Sequence, residues 1–227
     1  MTRPPVALRI RTGDEQSVSA LLLTPAQPAA ALVLAHGAGA GMHHAFMERL
    51  ATRLAAHAIA TLRFQFPYME NGGKRPDPAP VAQRAVRAAV DEAATRLPGV
   101  PLFAGGKSFG GRMTSQAQAE HPLPNVLGLV FVGFPLHPAG KPATGRADHL
   151  SRVHCPMLFL QGTRDALADL GLLRGVVAGL GERATLQVVD DADHAFHVRV
   201  KSGSTDTRVL DDLALDTADW MERLLRA

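Results

Sequence analysis

The sequence has a single cysteine, few aromatic side chains and no long apolar run. Cys155 cannot form a disulfide within the chain, which fits a protein of a reducing compartment. No stretch reaches about 18 uninterrupted apolar residues, so we expect no membrane-spanning helix. The residues after Met1 lack the apolar segment of a signal peptide. Together these absences predict a cytoplasmic protein with no membrane partner.

Neither sign of charge predominates in the sequence. Lysine and arginine number 24 against 21 aspartates and glutamates, and the basic residues are scattered along the chain. Aromatic residues make up 5% of the sequence and accompany no basic stretch, so nucleic-acid binding is not expected. With 46% hydrophobic residues, 227 positions can bury a full core, and we expect one domain over 1–227. A monomer and a homodimer both remain open.

Short apolar runs alternate with helical patterns, which predicts an α/β fold with a mostly parallel sheet and helices on both faces. Strands are predicted over residues 6–11, 17–23, 31–35, 60–64, 101–105, 126–132, 157–161 and 185–189. The first two flank the turn 12–15 and are typical of an antiparallel hairpin. Helices are predicted around Phe46, Leu50 and Leu54 and over residues 78–96, 110–120, 167–180 and 207–225. Asp77 before Pro78 is the expected N-cap of the second helix.

A glycine-rich segment around Ser108 points to chemistry. Residues 105–111 read GGKSFGG, after an apolar run and before a helical pattern. A strand that passes through Gly-x-Ser-x-Gly into a helix is typical of the nucleophile elbow of serine hydrolases. The turn is too sharp for side chains on its inner face, which explains Gly106 and Gly110. The pattern predicts that Ser108 is a nucleophile; the alternative is a helix N-cap without chemistry.

Two further residues complete a predicted catalytic triad. A serine hydroxyl needs an imidazole to take its proton and a carboxylate to hold the imidazole. Asp165 follows the seventh predicted strand, and His194 follows the eighth. The chain order Ser, Asp, His is that of α/β-hydrolases and differs from those of chymotrypsin and subtilisin. Asp169 and His197 are weaker substitutes, and a helix cap or a surface histidine are the alternatives for the predicted pair.

An oxyanion hole needs two backbone N–H groups that face the developing negative charge. Phe109 follows the nucleophile and is expected to supply one of them. The other is expected from the turn after the third strand, from Ala38 or, as second choice, Gly39. His36 in the same turn is expected to brace it by hydrogen bonds rather than to act as a base.

On these motifs the chain resembles the α/β-hydrolase family over nearly its whole length. Its elbow, GGKSFGGR, and the runs RFQFPY (63–68) and GFPLHP (133–138) are similar to a small, lid-poor branch described as dienelactone-hydrolase-like. That branch includes many bacterial proteins and eukaryotic relatives, among them a subunit of a chromatin-modifying complex. The resemblance implies an eight-stranded fold without a substantial lid, and the triad assignment. Dienelactone hydrolase itself uses cysteine, so the resemblance does not imply its substrate.

Substrate contacts are predicted at four residues, Lys107, Phe66, Tyr68 and Phe134. Lys107 beside the nucleophile favours substrates with a carboxylate or phosphate, although a salt bridge to Glu70 or another acid is the simpler interpretation. The aromatic residues are candidates for an acyl pocket. Loops 65–77 and 133–148 are expected to wall an open, shallow site, which suits small esters.

The sequence predicts a serine hydrolase of the carboxylesterase or thioesterase type, which forms an acyl-enzyme with a small-molecule ester or thioester. His194 would act as general base and acid, and Asp165 would orient it. No carboxylate or cysteine accompanies His43 and His44 at ligand spacing, so neither a metal nor a cofactor is expected. The alternative is a non-catalytic α/β-hydrolase-fold scaffold that binds a partner protein or a small ligand. Esterase, thioesterase and lactonase are not separated, because pocket shape decides among them.

Overall fold

The structure is a computed structural model that describes residues 4–13 and 16–226. In this part of the chain the strands are β1 (Val6–Arg11), β2 (Ser17–Leu23), β3 (Ala30–Ala35), β4 (Ile59–Phe64), β5 (Leu102–Lys107), β6 (Val126–Val132), β7 (Met157–Gly162) and β8 (Ala184–Val189). The α-helices are α1 (Ala45–Ala56), α2 (Pro67–Glu70), α3 (Ala79–Arg96), α4 (Phe109–Glu120), α5 (Leu170–Leu180) and α6 (Asp206–Arg226). Short 3₁₀ helices lie at Gly145–Arg152, Gly181–Arg183 and Val200–Ser202. None of the helices described is long and apolar enough to cross a bilayer.

The strands form one eight-stranded sheet in the order β1-β2-β4-β3-β5-β6-β7-β8. β2 pairs antiparallel with both β1 and β4, whereas all later neighbours are parallel. This confirms the predicted fold class with its N-terminal antiparallel hairpin, although residues 14 and 15 of the predicted turn lie outside the described residues. β3 is buried at every position, which is typical of a strand that is covered on both faces.

Helices cover both faces of the sheet. α1 and α6 pack on one face, where Leu54 and Trp220 are buried. α3, α4 and α5 cover the other face with residues that include Val86, Met113 and Leu173. Because β3 to β8 run parallel, their carboxyl ends meet at one edge of the sheet. The turns after β3, β5, β7 and β8 therefore lie together, and these turns hold every predicted triad and oxyanion-hole residue.

Helices α3 and α5 begin later than predicted, because side chains make other hydrogen bonds. Pro78 is the N-cap residue of α3, while the predicted cap, Asp77, accepts the Tyr68 N–H at 2.9 Å. That bond joins the end of a predicted loop to α2, a short helix within it. α5 begins at Leu170 rather than at residue 167, because the Asp169 side chain caps it by accepting a first-turn N–H at 2.9 Å.

Gly105 of β5 lies where two strands approach closely. A Cβ atom at this position would lie 1.9 Å from the carbonyl oxygen of Val130 in β6. Gly175, on an exposed turn of α5, offers a matched comparison, since no atom beyond its chain neighbours and its own helix backbone lies within 4 Å of its Cβ position. Alanine at position 105 therefore tests the effect of backbone crowding, whereas alanine at position 175 tests the effect of helix propensity alone.

We expect Gly105→Ala to lower the free energy of unfolding by about 3 kcal/mol or more, because backbone atoms cannot move aside as a side chain can. Gly175→Ala should raise it by about 0.5–1 kcal/mol, since alanine favours the helix. Urea unfolding followed by circular dichroism gives both values. A Gly105→Ala variant as stable as the wild type would contradict the close pairing of β5 with β6.

Candidate active site

Ser108 lies in a sharp turn between β5 and α4. Its φ of 50° and ψ of −115° fall outside the regions that L-residues usually occupy, as in a nucleophile elbow. A Cβ at Gly106 would lie 2.4 Å from the Ala35 carbonyl oxygen, and one at Gly110 would lie 2.6 Å from the same atom. Backbone packing therefore excludes a side chain at both glycines, as the motif predicts.

The structure brings Ser108, His194 and Asp165 together in one chain of hydrogen bonds. His194 Nε2 lies 2.8 Å from Ser108 Oγ, and His194 Nδ1 lies 2.7 Å from Asp165 Oδ2. An ionised carboxylate only accepts, so Nδ1 carries the proton and Nε2 is free to accept the hydroxyl proton of the serine. This tautomer is the one that a serine nucleophile requires.

Asp165 is held by further hydrogen bonds. Its side chain is 1% exposed, Oδ1 accepts the Leu167 N–H at 2.7 Å, and Oδ2 also accepts from Gln161 Nε2 at 2.6 Å. Gln161 Oε1 in turn accepts the Phe134 N–H at 3.0 Å. A buried carboxylate needs such donors, because it has lost its hydration. Gln161 is not among the site residues that the sequence predicts. The sequence signal that could have indicated it is a single amide side chain in the otherwise apolar strand β7.

The two substitute residues have other partners. Asp169 caps α5, and the exposed His197 has its Nδ1 at 2.9 Å from Asp206 Oδ2, a contact that raises the pKa of His197. Asp193 instead shapes the loop that carries His194. Its Oδ1 accepts two backbone N–H groups of that loop at 2.8 and 3.0 Å. The hydrogen bonds therefore join the predicted pair to Ser108 rather than the substitutes.

Two backbone N–H groups are available beside the nucleophile. Phe109 begins α4, and Ala38 lies in the turn after β3. Among the described residues, neither N–H donates to a protein acceptor, which leaves both for a substrate oxygen. Gly39 has a φ of 77° and, unlike Ala38, does not line the pocket at Ser108. This arrangement favours Ala38 over Gly39 as the second oxyanion donor.

His36 braces the turn after β3. Its Nδ1 donates to the Gly37 carbonyl oxygen at 2.8 Å, and its Nε2 accepts the Phe66 N–H at 3.0 Å. Burial lowers the pKa of His36 to about 4, so the ring is neutral at pH 7. The neutral ring can then donate on one side and accept on the other, which links the turn after β3 to the segment after β4.

A pocket of about 230 Å³ opens at Ser108. Its mostly apolar walls come from the turn after β3, from Phe46 and Met47 at the start of α1, and from Ala195 beside His194. Loops 65–77 and 133–148, which were expected to wall the site, contribute nothing to this pocket. A larger groove of about 540 Å³ lies between β8 and α6, but it contains neither Ser108 nor His194.

Three of the four predicted substrate contacts lie in the core rather than in the pocket wall. Phe66 packs edge-on against Phe109, and Phe134 packs among the phenylalanines of β6 and β7; both are at most 1% exposed. Tyr68 is also buried. Phe46, which shares a face of α1 with Leu50 and Leu54, packs half-buried against the core and also lines the pocket.

Lys107 is the one predicted contact that lines the pocket. Its Nζ donates to the backbone carbonyl oxygen of His194 at 2.5 Å. The predicted salt bridge to Glu70 is absent, because Glu70 pairs with Arg9. The structure therefore connects Lys107 to the triad rather than to a crossing loop.

His43 and His44, which are adjacent in the sequence, do not form part of a metal-binding cluster. His44 Nδ1 accepts the Phe46 N–H at 3.3 Å and caps α1. In residues 4–13 and 16–226, no group of three or more histidine, cysteine, aspartate or glutamate side chains is arranged to hold a metal ion.

The alpha/beta hydrolase domain family matches the chain over residues 28–222, well over half of its length. The chain belongs to the α/β-hydrolase family. The matched region of this α/β-hydrolase includes Ser108, Asp165 and His194, and membership indicates hydrolytic chemistry.

Several solved structures share the fold of this α/β-hydrolase. A dienelactone hydrolase from Anabaena variabilis has a TM-score of 0.77 and 19% identity over 98% of each chain. A serine hydrolase without a lid from Xanthomonas campestris has a TM-score of 0.70 and 20% identity over 94% of each chain. The esterase domain of a Rhodothermus marinus protein has a TM-score of 0.74 and 16% identity over 97% of this chain and 99% of that one. At these identities the likeness shows a shared fold, and it agrees with the predicted resemblance to lid-poor, dienelactone-hydrolase-like proteins.

Two buried histidines predict sensitivity to acid. Burial lowers the pKa of His149 to about 4, as it does for His36, and His149 Nε2 lies 2.7 Å from Ser115 Oγ. In the unfolded chain both rings bind protons below pH 6.5. The unfolded state therefore binds more protons between pH 6.5 and 4, and the free energy of unfolding should fall as the pH is lowered through this window, by up to about 1.4 kcal/mol per pH unit for each ring.

His149→Gln removes one of these two groups and should make the pH dependence shallower than that of the wild type. Urea unfolding at several values between pH 4 and pH 7 measures both curves. Equal slopes in the two proteins would contradict the neutral, buried state of His149.

Proposed function

We propose that this α/β-hydrolase is a serine hydrolase that cleaves small carboxylic esters or thioesters through an acyl-enzyme. The observation that carries the proposal is the unbroken hydrogen-bond chain from Ser108 Oγ to His194 at 2.8 Å and from His194 to Asp165 at 2.7 Å. A serine in a strained elbow and a histidine held in one tautomer are together the requirements for nucleophilic catalysis at neutral pH.

In the acylation step, Ser108 Oγ attacks the substrate carbonyl carbon while its proton passes to His194 Nε2. The carbonyl electrons move to the oxygen, which becomes an oxyanion and accepts hydrogen bonds from the Phe109 and Ala38 N–H groups. Asp165 stabilises the imidazolium that has formed. Collapse of the tetrahedral intermediate breaks the C–O or C–S bond, and His194 gives its proton to the departing alcohol or thiol.

In the deacylation step, water replaces the leaving group. His194 Nε2 accepts a proton from the water, which attacks the acyl carbon and forms a second tetrahedral oxyanion in the same hole. The bond to Ser108 Oγ then breaks, His194 returns the proton to the serine, and a carboxylic acid leaves. The cycle needs no oxidant, reductant or further reactant.

The pocket supports a small substrate. Its volume of about 230 Å³ lies below the range of about 300–1,000 Å³ that is usual for drug-sized ligands, and its walls include Gly37, Ala38 and Ala195. Phe46 and Met47 close the side formed by α1. A short acyl or aryl group fits such a space, whereas a long lipid chain would extend beyond it.

Labelling with a fluorophosphonate probe tests the proposal. We expect folded wild-type protein to be labelled, because the probe reacts with a serine whose proton is taken by a base. Ser108→Ala and heat-denatured wild type should not be labelled, whereas Ser151→Ala, which changes an exposed serine, should react as the wild type does. Folded wild type without label would overturn the proposal and favour the non-catalytic scaffold.

Asp165→Asn tests the orienting acid. An amide in this position favours the wrong tautomer of His194, and kcat for a short-chain ester should fall by about 10⁴-fold. Asp169→Asn is the matched control, because asparagine caps a helix as well as aspartate does, and its kcat should stay within about twofold of the wild type. Steady-state kinetics on p-nitrophenyl acetate measures both. An Asp165→Asn variant within tenfold of wild-type kcat would contradict the assignment.

A further inference from the structure

Lys107 connects the strand of the nucleophile with the loop of the histidine. It is the last residue of β5, directly before Ser108. Its Cγ lies 3.6 Å from the Cβ position of Gly37, in the turn after β3, and its Nζ reaches the His194 carbonyl oxygen at 2.5 Å. The Lys107 side chain therefore lies beside the turn after β3 and donates to the loop that carries His194, while its backbone leads into the elbow.

The surroundings of the ammonium group hold it in place. The rings of Phe46 and Phe196 lie with their centroids 5.9 and 5.2 Å from Nζ, within the range of cation–π attraction. The Cβ position of Gly133 lies 3.0 Å from Lys107 Nζ and 3.6 Å from Asp165 Oδ2, so the ammonium and the carboxylate of the triad are neighbours. The ammonium group of Lys107 therefore lies beside two aromatic rings and is directed at the loop that carries His194.

We propose that Lys107 is a positioning residue, which holds the His194 loop at the distance from Ser108 that proton transfer requires. The proposal rests on the proposed function of Ser108 and His194. A hydrogen bond from an ammonium to a carbonyl oxygen is stronger than one between neutral groups. Because a displacement of about 1 Å in a catalytic group can cost about 100-fold in rate, a bond at the backbone of the base itself bears directly on kcat.

The sequence alone also suggested that Lys107 binds an anionic group of the substrate. In the structure its Nζ is already bonded to His194 and lies between two rings. Burial lowers the pKa of Lys107 to about 8, although the nearby negative charges of Asp165 and Asp193 partly offset this by raising it. The ammonium is therefore present at pH 7 and lost as the pH rises above about 8, which provides a readout that does not depend on any variant.

The experiment compares wild type, Lys107→Met and Lys141→Met on two short esters, one neutral and one with a carboxylate. Methionine keeps most of the aliphatic stem but has no donor, and Lys141 is an exposed lysine remote in sequence from the site. We expect Lys107→Met to lower kcat by about 10- to 100-fold on both esters, with KM changed less than about threefold. Lys141→Met should match the wild type. Wild-type kcat should decline above pH 8, and Lys107→Met should show no such decline.

Two results would overturn the proposal while leaving the proposed function intact. One is a Lys107→Met enzyme with wild-type kcat, and the other is a rise in KM confined to the ester with a carboxylate, which would make Lys107 a substrate contact. A wild-type kcat that stays constant to pH 10 would also contradict it, even if the variant failed to fold. Absence of Ser108-dependent turnover in the wild type would overturn both proposals together.

Discussion

The parallel pairing of β3 with β5 is the contact on which the whole site depends. Ala35 pairs with Gly106 at the ends of these strands, and its carbonyl oxygen also lies against Gly110 beyond the nucleophile. This approach sets how far the elbow lies from the turn that carries Ala38. A methyl group at either glycine would force the two strands apart, and the two N–H groups beside Ser108 would separate with them. Glycine is needed at positions 106 and 110 because the backbone of β3 lies too close for a side chain, and not because the chain must be flexible there.

The acid and the base are held by different means. Asp165 is buried, and the hydrogen bonds from Gln161 and Leu167 compensate for its lost hydration, so its position is set within the turn after β7. His194 lies on a more exposed loop, where Asp193 accepts two N–H groups and Lys107 donates to the backbone. The imidazole changes charge during the proposed reaction, whereas the carboxylate does not. A rigid acid and a separately anchored base are consistent with those two roles.

Much of this arrangement could be predicted from the sequence, because its signals are local. Apolar runs marked all the strands, and the bounds of β1, β2 and β6 agree with the predicted ones to the residue. The elbow and the order of Ser, Asp and His placed the triad residues at strand ends. Contacts between distant segments have no such signal. Helical spacing placed Phe46 on one face with Leu50 and Leu54 but gave no sign of its part in the pocket. Neither Gln161 nor the partner of Lys107 follows from any pattern, since each depends on which loops meet above the sheet.

Backbone strain is concentrated in the same loops as the catalytic atoms. Of the non-glycine residues with positive φ in the described chain, Ser108 at 50°, Asp191 at 56° and Phe196 at 64° belong to the elbow and to the loop of His194. Such conformations cost about 1–3 kcal/mol each and persist only where surrounding contacts compensate. Close strand packing does so at the elbow, and the ion pair of Asp191 with Arg199 does so at the start of the histidine loop. Regular strands and helices cannot turn a serine oxygen and an imidazole toward one another, so the strained backbone lies where the proposed chemistry needs it.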